Sequence, residues 1–130
     1  MRGQPLVIVI LIVIACAVRF GLAVLGYAVP EVTLEALGAP VADNPQAPYV
    51  VRVWAVRDMV LAVLLLAARP AMLVPLLIGC IVIDATDIVS ALLSGRAGQF
   101  SHDQTLGLVM TAVAALLPES IALALIRSRI

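Results

Sequence analysis

The sequence predicts an all-α integral membrane protein: an antiparallel four-helix bundle with both termini cytoplasmic. Three observations predict it. Of 130 residues, 64% are hydrophobic and only 12% charged, a balance unlike that of soluble domains or disordered tails. The apolar residues gather in four segments, each near the ~20 residues needed to cross ~30 Å of hydrocarbon. Arginine placement then orients them: Arg2, Arg69, Arg127 and Arg129 fall on one side, while the other holds Arg96, Glu31, Glu35, Asp43 and Asp103. The arginine-rich side is cytoplasmic by the positive-inside rule.

The first segment covers about residues 5–28. Val13, Ile14, Ala15 and Cys16 loosely imitate a lipoprotein cleavage site, but the apolar run continues to Val29, which favours a retained helix. Residues 29–49 form the long outer connection, with four prolines and Glu31, Glu35 and Asp43. It reads as a surface loop. The alternative is a short helix from Pro30 stopped by Gly38, lying flat as a lid through Val32, Leu34 and Leu37.

The second segment covers about residues 50–68 and the third 71–94, separated by a tight turn at Arg69 and Pro70. The fourth covers about 102–126. Ser101 and Gln104 have the spacing of a capping box at its start, and Asp103 suits the positive end of its dipole. The chain is one transmembrane domain, 1–130, without internal repeats.

Composition removes several function classes. All eight basic residues are arginine and eight acids balance them, so no basic run exists to hold nucleic acid. Cys16 and Cys80 lie inside apolar segments as small packing residues. His102 has no second His or Cys beside it, and neither a phosphate-cradling glycine loop nor a nucleophile elbow is present. The expectation is no metal, no cofactor and no nucleic-acid partner.

Six charges are left inside apolar segments: Arg19, Arg52, Arg57, Asp58, Asp84 and Asp87. Each would cost about 2.5–3.5 kcal/mol facing lipid at the bilayer centre, so they are expected to face inward and pair, three arginines against three aspartates. Counting 1.5 Å per residue places Arg19 ~21 Å and Asp84 and Asp87 ~20–24 Å from the cytoplasmic ends of their helices, in one outer-leaflet layer with Arg57 and Asp58. Arg52 lies above that layer.

Cys80, Asp84, Asp87, Ala91 and Ser94 recur at steps of four and three, which makes one helical face. Ala15, Arg19, Ala23 and Gly26 form a matching face of small residues, as do Ala112, Ala115, Glu119 and Ala122. Arg57 and Asp58 diverge by about 100°, so only one can point at the bundle axis. Glu119 follows Pro118 and counts ~10 Å deeper than the cluster. It is expected to stand apart unless Arg19 extends to it, and is a candidate proton carrier. Phe20, Tyr27, Tyr49, Trp54 and Phe100 gather toward the outer side, as an interfacial belt or as pocket walls.

The stretch 51–67 with Arg52, Arg57 and Asp58, followed by Asp84 and Asp87, resembles the DoxX-like superfamily of small four-helix bacterial membrane proteins. The resemblance implies the four-helix architecture and an Arg/Asp core.

Buried ion pairs are a costly way to fix a fold, which favours a site over a purely structural lock. The reading adopted is a chamber binding a small lipophilic molecule from the membrane, with Asp84 as base, Asp87 as its acid partner and Arg57 as electrophilic clamp. That set suits epoxide hydrolysis, isomerisation or cyclisation. Arg19, Arg52, Asp58, Tyr27, Tyr49 and Trp54 would bind ligand or complete the ion pairs. The alternatives are an accessory subunit with a homodimer or membrane-protein partner, a proton-coupled transporter using Glu119 and Asp84, and a magnesium site at Asp84 and Asp87 for a polyprenyl diphosphate. The arginines oppose the last by competing for its carboxylates. The expected location is the inner (plasma) membrane, in contact with membrane lipid.

Overall fold

A computed structural model describes residues 4–129, so Arg2, one of the arginines in the orientation argument, lies outside the described residues. Every element is a helix, in the order α1 (Leu6–Ala28), α2 (Pro30–Ala36), α3 (Ala47–Ala67), α4 (Pro70–Arg96) and α5 (His102–Arg127). No strand occurs among the described residues. α1, α4 and α5 are long and apolar enough to cross a membrane. α3 has 21 residues, ~31 Å, but carries Arg52, Arg57 and Asp58 within that length.

Local chemistry sets the boundaries. α1 stops at Val29, which leaves the helical region (φ −134°, ψ 64°) as a residue before proline is biased to do, and Pro30 then occupies the first turn of α2. α2 closes in a Schellman motif: the Gly38 amide donates to the Glu35 carbonyl and that of Ala39 to Leu34, both at 2.9 Å, with Gly38 at φ +65°. The long connection therefore contains the helix that reading it as a plain loop left out.

Ala68 and Arg69 take extended conformations between α3 and α4, and Pro70 opens α4. α4 ends as α2 does, with Gly98 (φ +73°) donating to Gly95 at 3.0 Å and Gln99 to Ser94 at 3.0 Å. At the start of α5 both halves of the capping box form: the Gln104 amide donates to Ser101 Oγ at 3.2 Å, and the Ser101 amide to Gln104 Oε1 at 2.8 Å.

The four long helices neighbour one another in the order α1, α3, α4, α5, with α1 also against α5. α3 and α4 meet more loosely than the other neighbouring pairs. Ile8, Ile12, Leu65, Leu73, Leu77 and Ile126 fill the interior at the end holding the α3–α4 turn, together with Cys16, Ala62 and Ala122. There the Cys16 thiol donates to the Ala62 carbonyl at 3.6 Å.

The other end, under α2, is lined by Ser90, Ala91, Ser94, Ala112 and Ala115, all too small to fill it. α4 and α5 are pinned together above that space, since Gly95 lies so close to Thr105 that a Cβ there would sit 2.5 Å from the threonine hydroxyl. The molecule is thus solid in one half and hollow in the other. Large apolar side chains cover the outside of all four long helices, including Val13, Val63, Val82 and Ile121.

Candidate functional site

The boundary between the two halves is a charge cluster built on Arg19. Ala15 and Ala23, one turn to either side on α1, are fully buried and leave room for other helices to reach the guanidinium. Arg19 Nη1 donates to Asp58 Oδ1 of α3 at 2.8 Å. Nη2 donates to Asp84 Oδ2 of α4 at 2.7 Å and to Glu119 Oε1 of α5 at 3.1 Å. One guanidinium therefore ties its own helix to the other three long ones.

All four side chains are buried, Glu119 completely and Asp58, the most exposed, at 8%. These are charge-assisted bonds in a water-poor interior, where they are short and strong but offset a large desolvation cost. Arg19 Nε and Glu119 Oε2 remain buried without a hydrogen-bond partner.

A second, half-buried pair joins α3 to α4, with Arg57 Nη2 donating to Asp87 Oδ2 at 3.0 Å. Arg57 Nε lies 3.5 Å from Asp58 Oδ1. The divergence of Arg57 and Asp58 is resolved by direction: Asp58 turns to the axis and Arg57 sideways to the next helix. Asp84 and Asp87, adjacent on one face of α4, are held by different arginines.

Three expected placements differ. Arg52 does not join the aspartates: its Nε donates to the Tyr27 carbonyl at 3.2 Å, capping the last turn of α1 near the surface. Glu119 does not stand apart, because Arg19 bridges the depth that counting between Cα positions assigned to it. The set is therefore not three arginines against three aspartates but Arg19 and Arg57 against Asp58, Asp84, Asp87 and Glu119. Tyr27 and Tyr49 are exposed, at 48% and 72%, and are not among the residues lining the cavity.

The hollow half is a cavity of about 510 Å³, within the range of small-molecule sites. Arg19, Asp58 and Asp84 form its floor and Asp87 part of its side. Leu22, Val51 and Leu108 are among its apolar walls, Trp54 and Phe100 its aromatic ones, and Thr33 and Leu37 from the α2 region help close it. Trp54 stands one turn from Asp58 on α3, so the ring and the carboxylate share a face.

Sequence reasoning missed the contributions of Thr33 and Thr111, named Leu37 only in the alternative of a short lid helix, and placed Glu119 outside the cluster. Pro30 and Gly38, which carried that alternative, were the signal for Thr33. For Glu119 it was its place on the small-residue face of its own helix. Among the described residues no group of three or more His, Cys, Asp or Glu is arranged to hold a metal ion. No family model matches the chain, nor does any curated protein or solved structure.

Proposed function

We propose that this is a four-span, multi-pass protein of the bacterial plasma membrane, similar in plan to the DoxX-like proteins, whose outer half binds a small lipophilic molecule. The observation that carries the reading is the ~510 Å³ cavity with apolar walls and a charged floor. A concave, mostly apolar space of this size with a few convergent polar groups is the usual form of a small-molecule site.

The fourth span is α3. In its favour are the exposed Val53, Val56, Val60, Val63, Leu64 and Leu66, a facing too apolar for water. Its charges are each accounted for: Asp58 on Arg19, Arg57 on Asp87, and Arg52 near the helix end on a backbone carbonyl. The orientation with cytoplasmic termini rests on Arg69 and Arg127 lying opposite Glu31, Asp43 and Asp103. In that orientation the cavity lies in the outer leaflet, beneath α2.

A catalytic form of this reading makes Asp84 and Asp87 an acid–base pair; Arg57, expected as the clamp, does not line the cavity and instead positions the Asp87 carboxylate. What favours it is that both carboxylates line the cavity while guanidinium groups hold them in place. Binding comes first in either form.

The test is native mass spectrometry of protein released from membranes. Wild type is expected to carry a small lipophilic adduct, or to take one up from a lipid extract, while Ala112→Phe, which fills the cavity from α5, carries none. A wild type that stays bare across such extracts, indistinguishable from Ala112→Phe, would remove the reading.

A further inference from the structure

The ion-pair network at the cavity's floor sets four carboxylates, Asp58, Asp84, Asp87 and Glu119, against two guanidinium groups, Arg19 and Arg57; Glu119 and Arg57 stand behind the lining. The remaining intramembrane arginine, Arg52, is spent on a backbone carbonyl elsewhere. The wall itself is more one-sided, since the charged residues that line it are Arg19 and three aspartates.

Arg19 is not open to an anion. Its side chain is 3% exposed, and both terminal nitrogens already donate to carboxylates. Among the acceptors Asp87 is the open one, its side chain 39% exposed, while Asp58 and Asp84 are nearly as buried as Arg19; Arg19 uses only Oδ1 of Asp58, and Arg57 only Oδ2 of Asp87, which leaves one carboxylate oxygen of each over. One turn above Asp58, Trp54 offers a ring to the same space, and Phe100 a second. Aromatic faces beside carboxylates are the combination that recognises alkylammonium groups. A low-dielectric chamber strengthens both attractions.

We infer that the ligand of this chamber is a lipophilic cation, an amine or quaternary ammonium on an apolar body, with its head between Trp54 and the Asp58, Asp84 and Asp87 carboxylates. This deepens the binding reading above and rests on it. The cationic head supplies the positive charge that Arg19 and Arg57 do not, and the tail lies along the apolar walls. An anionic amphiphile would face three aspartates, with a buried Arg19 and neutral donors such as the Trp54 indole and the Ser94 hydroxyl to meet it, and a neutral one leaves the surplus unanswered.

The chain has a single tryptophan, and Trp54 lines the cavity, so its fluorescence reports occupancy directly. The protein is reconstituted in phosphatidylcholine nanodiscs and titrated with three probes sharing a decyl chain: decyltrimethylammonium, decanol and decanoate. Partitioning is corrected on empty nanodiscs. The expected result is a saturable change with decyltrimethylammonium, at an apparent Kd at least ten-fold below that of decanol, with decanoate weakest. Asp87→Asn, which leaves the Arg19 cluster whole, is expected to narrow that gap at least three-fold. Ala112→Phe is expected to abolish saturation.

Equal affinity for the three probes, tighter binding of decanoate, or an unchanged gap in Asp87→Asn overturns the inference while leaving the chamber intact. No saturation by any probe, with wild type and Ala112→Phe alike, overturns the binding reading itself.

Discussion

At Arg19, carboxylates from three helices share one guanidinium, and this makes the consequences of substitution unequal. Arg19→Met removes the one cation that, among the described residues, pairs with Asp84 and Glu119 and strands buried charge, a loss of about 3–5 kcal/mol where a buried pair is broken from one side. Arg19→Lys keeps the charge but not the planar fork that serves two oxygens from one side and a third from the other, and is expected to fall between Met and wild type. Glu119→Gln keeps an acceptor oxygen for Arg19 and removes one of the surplus negative charges. Its expected change is within about 1 kcal/mol, the net worth of an ordinary hydrogen bond. Unfolding in mixed micelles by circular dichroism checks the order. A Glu119→Gln protein as unstable as Arg19→Met would show that the cluster needs every charge. The sequence made most of this legible, since an arginine and aspartates on apolar helices have nowhere to go but inward. Glu119 was misplaced because depth was counted along the backbone, while an arginine side chain spans more than a helical turn.

The helices themselves were legible by three signals, namely apolar length, proline at first turns, and the Ser101–Gln104 box. What stayed undecided was α2, whose seven residues are too few for a periodic pattern, so that the helix from Pro30 stopped by Gly38 stood only as the alternative to a surface loop. Closeness between helices was invisible, as at Gly95, where the space for a Cβ is already taken by Thr105. Because the obstruction is the body of a short side chain, α4 and α5 must separate to admit it. Gly95→Ala is expected to destabilise by about 1–3 kcal/mol, the usual cost of overpacking. Adding Thr105→Ala removes the hydroxyl and methyl contacts and is expected to restore most of that loss. A double-mutant cycle without coupling would contradict the geometry of this crossing.

The whole molecule sets a packed half against a hollow one, with the charge cluster between them. Cys16 (3% exposed) and Cys80 (0%) lie buried near that boundary. A membrane-permeant maleimide is accordingly expected to leave both unmodified in the folded protein and to label two thiols after denaturation, read by intact mass. Labelling of the folded form would mean that the interior opens on its own. The cavity was only half legible: its charges and small residues could be counted, but small faces pack tightly as readily as they leave space, and only coordinates tell which.

The most direct measurement of the central claim is photolabelling in proteoliposomes with a diazirine-bearing lipophilic amine, followed by peptide mapping. Modification is expected on cavity walls such as Leu22, Val51 and Leu108, to be displaced by excess unlabelled amine, and to disappear in Ala112→Phe. Label confined to outward residues such as Val13, Val63 and Ile121, undisplaced and unchanged in that variant, would contradict the existence of an occupied chamber.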